Sequence, residues 1–351
     1  MAPQVKRLVR SIYAPPRGKE RWSFNSLVGH DRVRYFRLAR HALQRALLSA
    51  NIGKGDNVLI PGLICNEVPA AVQSIGAIPL YYPVNEQLGL SFSVDRLPSA
   101  RAVVAVNYFG FPQSLAVFEE YSARMGAILI EDNAHGLFSR DADGRPLGAR
   151  GDYAIFSFHK TLPLWDGAAL VINNSPLCEE VAQLPFGAPG EPLLFKMKQM
   201  LRALVPFVGI SPARFATLFV RRLRSRMLAP LTAVDEGSSG DLDGDTRPAA
   251  RMLAQLSFAD PASEIARRRQ LYEWTGALLS KTACRPVFPV LPQGVAPYGF
   301  PFYMRKADVP RVRRCLSAEG LDLFQWPDLP AAVQPDAPPH YTSLWCVQFL
   351  W

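Results

Sequence analysis

The sequence predicts an α/β fold: a mostly parallel mixed sheet flanked by helices, followed by a smaller α+β segment. Three observations predict it. Short apolar runs bounded by Gly, Asp and Asn recur at 57–60, 77–82, 101–106, 127–130, 153–158 and 168–172, with the length and composition of buried strands. Segments with apolar residues at helical spacing alternate with the earlier runs, and strands separated by helices build a layered domain with a largely parallel sheet. A chain of 351 residues, 49% hydrophobic and 20% charged, is globular and long enough for two domains.

Residues 1–24 are rich in Pro and Arg and read as an N-terminal arm. Residues 33–50, VRYFRLARHALQRALLSA, set Phe36, Ala39, Ala42, Leu43, Ala46 and Leu47 on one helical face and predict an amphipathic helix ended by Asn51 and Gly53. Helices are also predicted over 66–75 and 114–125. Residues 232–248 are rich in Gly, Ser and Asp and mark the best boundary. The large domain is therefore read as 25–240 and the small one as 241–351. In the latter, 263–280 reads as a helix with Arg267 to Arg269 exposed, 307–319 as a helix ended by Gly320, and 287–291, 300–304 and 321–326 as strands.

The net charge of +9 is local. Residues 194–229 carry eight Lys and Arg and no acid, which leaves the remainder close to neutral. This stretch reads as a basic helical insertion with a solvated face, as a cover for a site or a second subunit, or as a peripheral seat for an anionic membrane or a phosphate-rich substrate. No aromatic interleaving or helix-turn-helix pattern accompanies the charge, so nucleic acid is not expected. Five dispersed cysteines without CxxC spacing, and five histidines without HxxxH, argue for reduced thiols and against a metal site. No signal-peptide core and no run of membrane-spanning length are visible, so a cytoplasmic location is expected.

The chemistry concentrates in residues 127–173. Glu131-Asp132 ends one apolar run and His135 follows three residues after Asp132. Ser157-Phe158-His159-Lys160 ends the next run, and Asp166-Gly167 precedes the third. Polar residues at the carboxyl ends of such strands form ligand sites. An amine and a carboxylate at the ends of two separate strands suit pyridoxal 5'-phosphate (PLP). A lysine bonds its aldehyde, and a buried acid keeps its pyridine nitrogen protonated. Lys160 and Asp132 are the candidates, with His135 stacking on the ring or bonding its 3-hydroxyl and Ser157 donating to the phosphate. Singly, each residue has a plainer reading: a turn acid, a surface cation, a satisfied histidine. Together and in this order they favour the cofactor.

This segment resembles the DegT/DnrJ/EryC1/StrS family of PLP-dependent sugar aminotransferases. The family's pattern is an apolar strand, Glu-Asp, a Gln or His three residues on, Gly-Asp, Phe-Ser-Phe-His, the Schiff-base lysine and a Gly pair. The resemblance implies fold type I, the aspartate-aminotransferase-like architecture. By position it makes Lys160 the Schiff-base residue, Asp132 the pyridinium partner, and His135, Ser157 and His159 cofactor contacts. Relatives place two residues between His and Lys, whereas His159 and Lys160 are adjacent here. Counting from Ser157 puts Leu162 in the lysine place; counting back from Gly167 puts Lys160 there, and the second is preferred. Relatives also carry Ser-Gly-Thr-x-Ala-Leu at the first helix, where this chain has Leu38-Ala39-Arg40-His41-Ala42-Leu43. Ala39 and Arg40 thus occupy the phosphate-holding positions, Arg40 either pairing with phosphate through its guanidinium or standing as a surface charge. In the turn after residue 106, either Asn107 or Tyr108 lines the site, or the pair only joins strand to loop.

The resemblance implies amination of a keto-sugar, nucleotide-linked, from an amino-acid donor, by a homodimer in polysaccharide or amino-sugar biosynthesis. Relatives continue past the point matching Trp351, so the small domain reads as shortened. Two rivals stand beside this reading. One is another PLP reaction such as sugar dehydration, in which a His replaces the lysine. The other is a catalytically silent scaffold or regulatory relative, favoured by the altered phosphate motif.

Overall fold

The computed structural model describes residues 21–90, 93–174, 181–187, 193, 195–197, 246–319 and 321–349. The arm up to residue 20, nearly all of the basic stretch 194–229 and the linker up to residue 245 lie outside them.

Seven strands form the larger sheet: β1 (Val33–Phe36), β2 (Asn57–Pro61), β3 (Ile78–Tyr82), β4 (Ala102–Val106), β5 (Ile128–Asn133), β6 (Tyr153–Ser157) and β7 (Ala168–Ile172). Their spatial order is β1-β7-β6-β5-β4-β2-β3. β3, β2, β4, β5 and β6 run parallel, while β7 is antiparallel to β6 and β1 to β7. The central strands read as unbroken apolar runs because both faces are covered, as parallel sheets require. On one face lie Leu43, Ala46 and Leu47 from the helix Ala39–Ser49, with Tyr153 and Ile155. On the other, Phe156, Phe158, Leu162 and Phe24 pack with Met252 and Leu256 from the helix Ala250–Leu256. Residues just past the linker therefore cover the large sheet.

Residues 33–50 do not form one helix. Val33–Phe36 pairs antiparallel with β7, from Val33 opposite Val171 to Phe36 opposite Ala168, and the helix begins at Ala39. The apolar spacing of 33–36 satisfies either period. The backbone partner offered by the edge of β7 decides between them, since an unpaired strand edge is a standing liability.

The smaller sheet is antiparallel, in the order β10 (Leu323–Gln325), β11 (Leu344–Gln348), β9 (Gly299–Tyr303), β8 (Arg285–Pro286). Helices Pro261–Leu279 and Val309–Ala318 accompany it. Residues 287–291 are not a strand. Pro289 and Pro292 supply no N–H to a ladder, and Phe288 leaves it to stack on Phe111, ring centroids 3.9 Å apart. β11 is a central strand that the expected strands do not include, and its Leu344, Trp345, Cys346 and Val347 form a buried apolar run.

Arg267 and Arg268 are not exposed. They are 4% and 0% accessible and share the carboxylate of Glu264, itself 1% accessible, one helical turn earlier. Glu at i−3 and i−4 makes the burial of two guanidinium groups tolerable, because buried charge persists only when paired. Among the described residues no helix is long and apolar enough to cross a membrane.

Candidate active site

Strand pairing sorts the candidate residues onto faces. Asp132 lies opposite Ile155, and Ile130 opposite Tyr153, so Asp132 shares the Tyr153–Ile155–Ser157 face of the sheet. The helix Ala39–Ser49 covers this face and runs against β6. At its end, Ser49 Oγ meets the Tyr153 hydroxyl at 2.8 Å. Ten helical residues rise about 15 Å and four strand residues advance about 13 Å, which brings the helix start at Ala39 and Arg40 level with Ser157. Short backbone bonds tie the same end together: Gly167 N–H donates to the Arg37 carbonyl at 2.7 Å, and Phe158 N–H to the Gly167 carbonyl at 2.9 Å.

Asp132 is buried, and one carboxylate oxygen accepts the Ala134 N–H at 2.9 Å, turning the chain toward His135. His135 is buried with its ring flat against Tyr298, centroids 4.0 Å apart and planes 11° from parallel. Phe109 and Trp326 stand further out. Burial first, then the positive charges of Lys160 and Arg268, hold the imidazole well below its usual pKa. Nδ1 accepts the Phe109 N–H at 3.4 Å, which leaves the single proton of the neutral ring on Nε2. The backbone is drawn tight here. Gly110 has φ +85°, and a Cβ on it would meet the carbonyl oxygens of His135 at 2.8 Å and Ala296 at 2.9 Å, so only glycine fits.

Lys160 ends a 3₁₀ turn, Phe158–Lys160, that leaves β6 directly. It is half-buried, and its ammonium is close enough to depress the His135 imidazole. Leu162, the other residue that spacing offered for the lysine place, is buried in the apolar cluster with Phe24 and Phe158. Ser157 is fully buried, its hydroxyl 3.2 Å from His159 Nδ1.

Arg40 is 7% accessible, and its Nε makes no hydrogen bond. Leu38 provides no side-chain cap, the first turn holds no acid, and the N–H groups of Ala39 and Arg40 have no partner among the described residues. Positive helix-end dipole, free donors and a buried cation with spare bonding capacity coincide. That combination fits a phosphate group. The residues present therefore fit PLP: an acid for the ring nitrogen, an amine at the strand end, and an anion seat at the helix start.

Asn107 is not among them. Its amide donates to Glu131 Oε2 at 3.2 Å and Asn133 Oδ1 at 2.5 Å, and its oxygen accepts the Gln113 N–H at 2.7 Å. Glu131 and Asn133 flank Asp132 in β5 and by alternation point to the opposite face, so Asn107 is turned away from Asp132. Glu131, fully buried, also pairs with Arg150 at 3.1 Å and accepts the N–H groups of Arg150 and Gly151, which secures the 134–152 loop. Tyr108 donates its hydroxyl to the Leu63 carbonyl. No local pattern in the sequence links Tyr298, or Arg268 with its expected exposure, to residues 132–160.

Residues 23–190 match the DegT/DnrJ/EryC1/StrS aminotransferase family. The chain's mixed, mostly parallel sheet flanked by helices is the fold-type-I architecture. Among similar structures is the aminotransferase TlmJ from Streptoalloteichus hindustanus, with TM-score 0.62 and 19% identity over 99% of this chain and 85% of that one. The Helicobacter pylori PseC, an aminotransferase involved in the biosynthesis of pseudoaminic acid, has TM-score 0.62 and 14% identity over 99% and 91%. A DegT DnrJ EryC1 StrS aminotransferase from Brucella abortus has TM-score 0.59 and 17% identity over the same shares. At these identities the likeness is one of fold.

Proposed function

We propose that this chain is a PLP-dependent aminotransferase that moves an amino group from an amino-acid donor to a keto-sugar carried on a nucleotide. The observation that carries the reading is that Lys160 and Ser157 leave the end of β6 while Asp132 and buried His135 leave the end of the neighbouring β5. The family match over residues 23–190 supports sugar-related amine transfer in general. The nucleotide carrier and the amino-acid donor rest on the resemblance alone.

When bound, the cofactor supplies an aldehyde carbon that accepts amines and a ring that withdraws electrons from them. The chain's residues divide the remaining work. Asp132 holds a proton on the ring nitrogen. Arg40, the N–H groups of Ala39 and Arg40, and Ser157 with His159 behind it would bind the phosphate. His135, with its proton on Nε2 and Tyr298 covering one of its faces, would offer a donor to the cofactor. Lys160 Nζ would hold the cofactor covalently and would serve as the base that moves the proton of the donor's α-carbon. Exposed Trp165, in the loop between the lysine turn and β7, supports a second subunit closing the site there. A cytoplasmic reaction suits a nucleotide-linked substrate.

Purified protein mixed with PLP should absorb near the violet edge of the visible spectrum, and borohydride should fix the cofactor on the peptide containing Lys160. Amine transfer from glutamate to a nucleotide-linked keto-sugar should follow. The replaced Ser-Gly-Thr motif favours one rival, a silent scaffold of the same fold. A protein that stays colourless and unlabelled at millimolar PLP would establish that rival instead.

A further inference from the structure

Arg268 reaches from the helix Pro261–Leu279 into the floor of the site. Its Nη2 donates to the Thr161 carbonyl at 2.9 Å, and its Nη1 donates to the Pro297 and Tyr298 carbonyls at 3.1 and 3.2 Å. Nε donates to Glu264 Oε1 at 2.6 Å. Thr161 follows Lys160 directly, and Tyr298 is the ring stacked on His135. One guanidinium fork therefore touches the turn that presents the amine and the segment that seats the imidazole's partner. An ammonium would not span these acceptors, because it is a point donor on a flexible stem. Arg267 provides an internal comparison. It shares Glu264 and the burial, and its Nη2 also donates to the Phe349 carbonyl at 3.0 Å.

We propose that Arg268 is a positioning residue for the amine-transfer reaction: by clamping the Thr161 carbonyl and the 297–298 segment together, it sets how Lys160 is presented beside His135. The inference rests on Lys160 being the reactive amine, as proposed above. It makes the small-sheet side of the molecule part of the lysine's mounting and adds a specific contact to general packing.

The test compares Arg268→Lys and Arg268→Met with Arg267→Lys in the full chain, each first shown to be folded by circular dichroism. In Arg268→Met the Glu264–Arg267 pair persists, so this variant keeps the test open should Arg268→Lys fail to fold. Hydrogen exchange needs no cofactor. The amides of Thr161 and Leu162, which bond to the Phe158 carbonyl at 3.0 and 2.7 Å, should exchange roughly tenfold faster in the Arg268 variants and at the parent rate in Arg267→Lys. With PLP and substrates, kcat should fall about tenfold or more in the Arg268 variants with KM little changed, as for a misplaced reacting group. Equal exchange and equal kcat losses in the Arg267 and Arg268 variants would overturn the proposal while leaving the aminotransferase reading intact. A parent protein that takes up no PLP would overturn both.

Discussion

His135 and Tyr298 lie face to face, ring centroids 4.0 Å apart, which joins the strand-end loop of the large sheet to the residue preceding β9 of the small one. The stack buries an imidazole beside two cations, and the ring is neutral as a result. The pair therefore has consequences for stability as well as for chemistry.

The first consequence is a pH dependence. Unfolded, His135 takes up a proton below its usual 6.5; folded, it does so only at much lower pH. The unfolded state thus binds more protons in this window, and stability falls as pH drops below 6.5, by about 1.4 kcal/mol per pH unit for this one group. Above 6.5 the group contributes no slope. Urea denaturation at several pH values should show the acid-side slope reduced by one proton in His135→Gln. An unchanged slope would mean that the imidazole protonates in place.

Replacing Arg40 should have opposite effects on the free and the loaded protein. Arg40→Met removes a buried guanidinium with an unbonded Nε, so the cofactor-free protein should gain stability, on the order of 1 kcal/mol. The same change should weaken PLP binding about tenfold or more, because a charge-assisted phosphate contact is lost. Thermal unfolding with and without PLP measures both. Equal PLP affinity in parent and variant would assign Arg40 to the fold alone.

Lys160→Ala should abolish amine transfer and borohydride labelling while changing stability by no more than about 0.5 kcal/mol, since the side chain is half-buried at a turn. Activity that survives the substitution would remove Lys160 from the reaction.

For Asn107→Ala the expectation is structural. The change strips a donor from Glu131 and Asn133 and an acceptor from the Gln113 N–H, all on the face away from Asp132. Stability should fall by roughly 1–3 kcal/mol for buried groups left unmatched, with PLP affinity unchanged in the folded fraction. A selective loss of PLP binding at full stability would return Asn107 to the site.

Much of this arrangement was legible along the chain. Strands β2 and β4 to β7 follow from apolar runs closed by Gly, Asp and Asn, because a strand covered on both faces has no other composition open to it. The order of Asp132, His135, Ser157 and Lys160 marks the ends of β5 and β6, where the proposed chemistry sits. Period-two alternation in β5 already separates Asp132 from Glu131 and Asn133, and extending it across to Asn107 would have placed that residue on the far face.

What the chain's own order determined was local: which segments form strands, and which polar residues stand at their ends. Tertiary structure alone decided that Val33–Phe36 pairs with β7, that Arg268 is buried, and which ring covers His135. The contact from Arg268 to Thr161 spans 107 residues. Periodicity reports only on neighbours a few positions apart, whereas a stacked ring or a shared carboxylate is settled by which elements the two sheets press together.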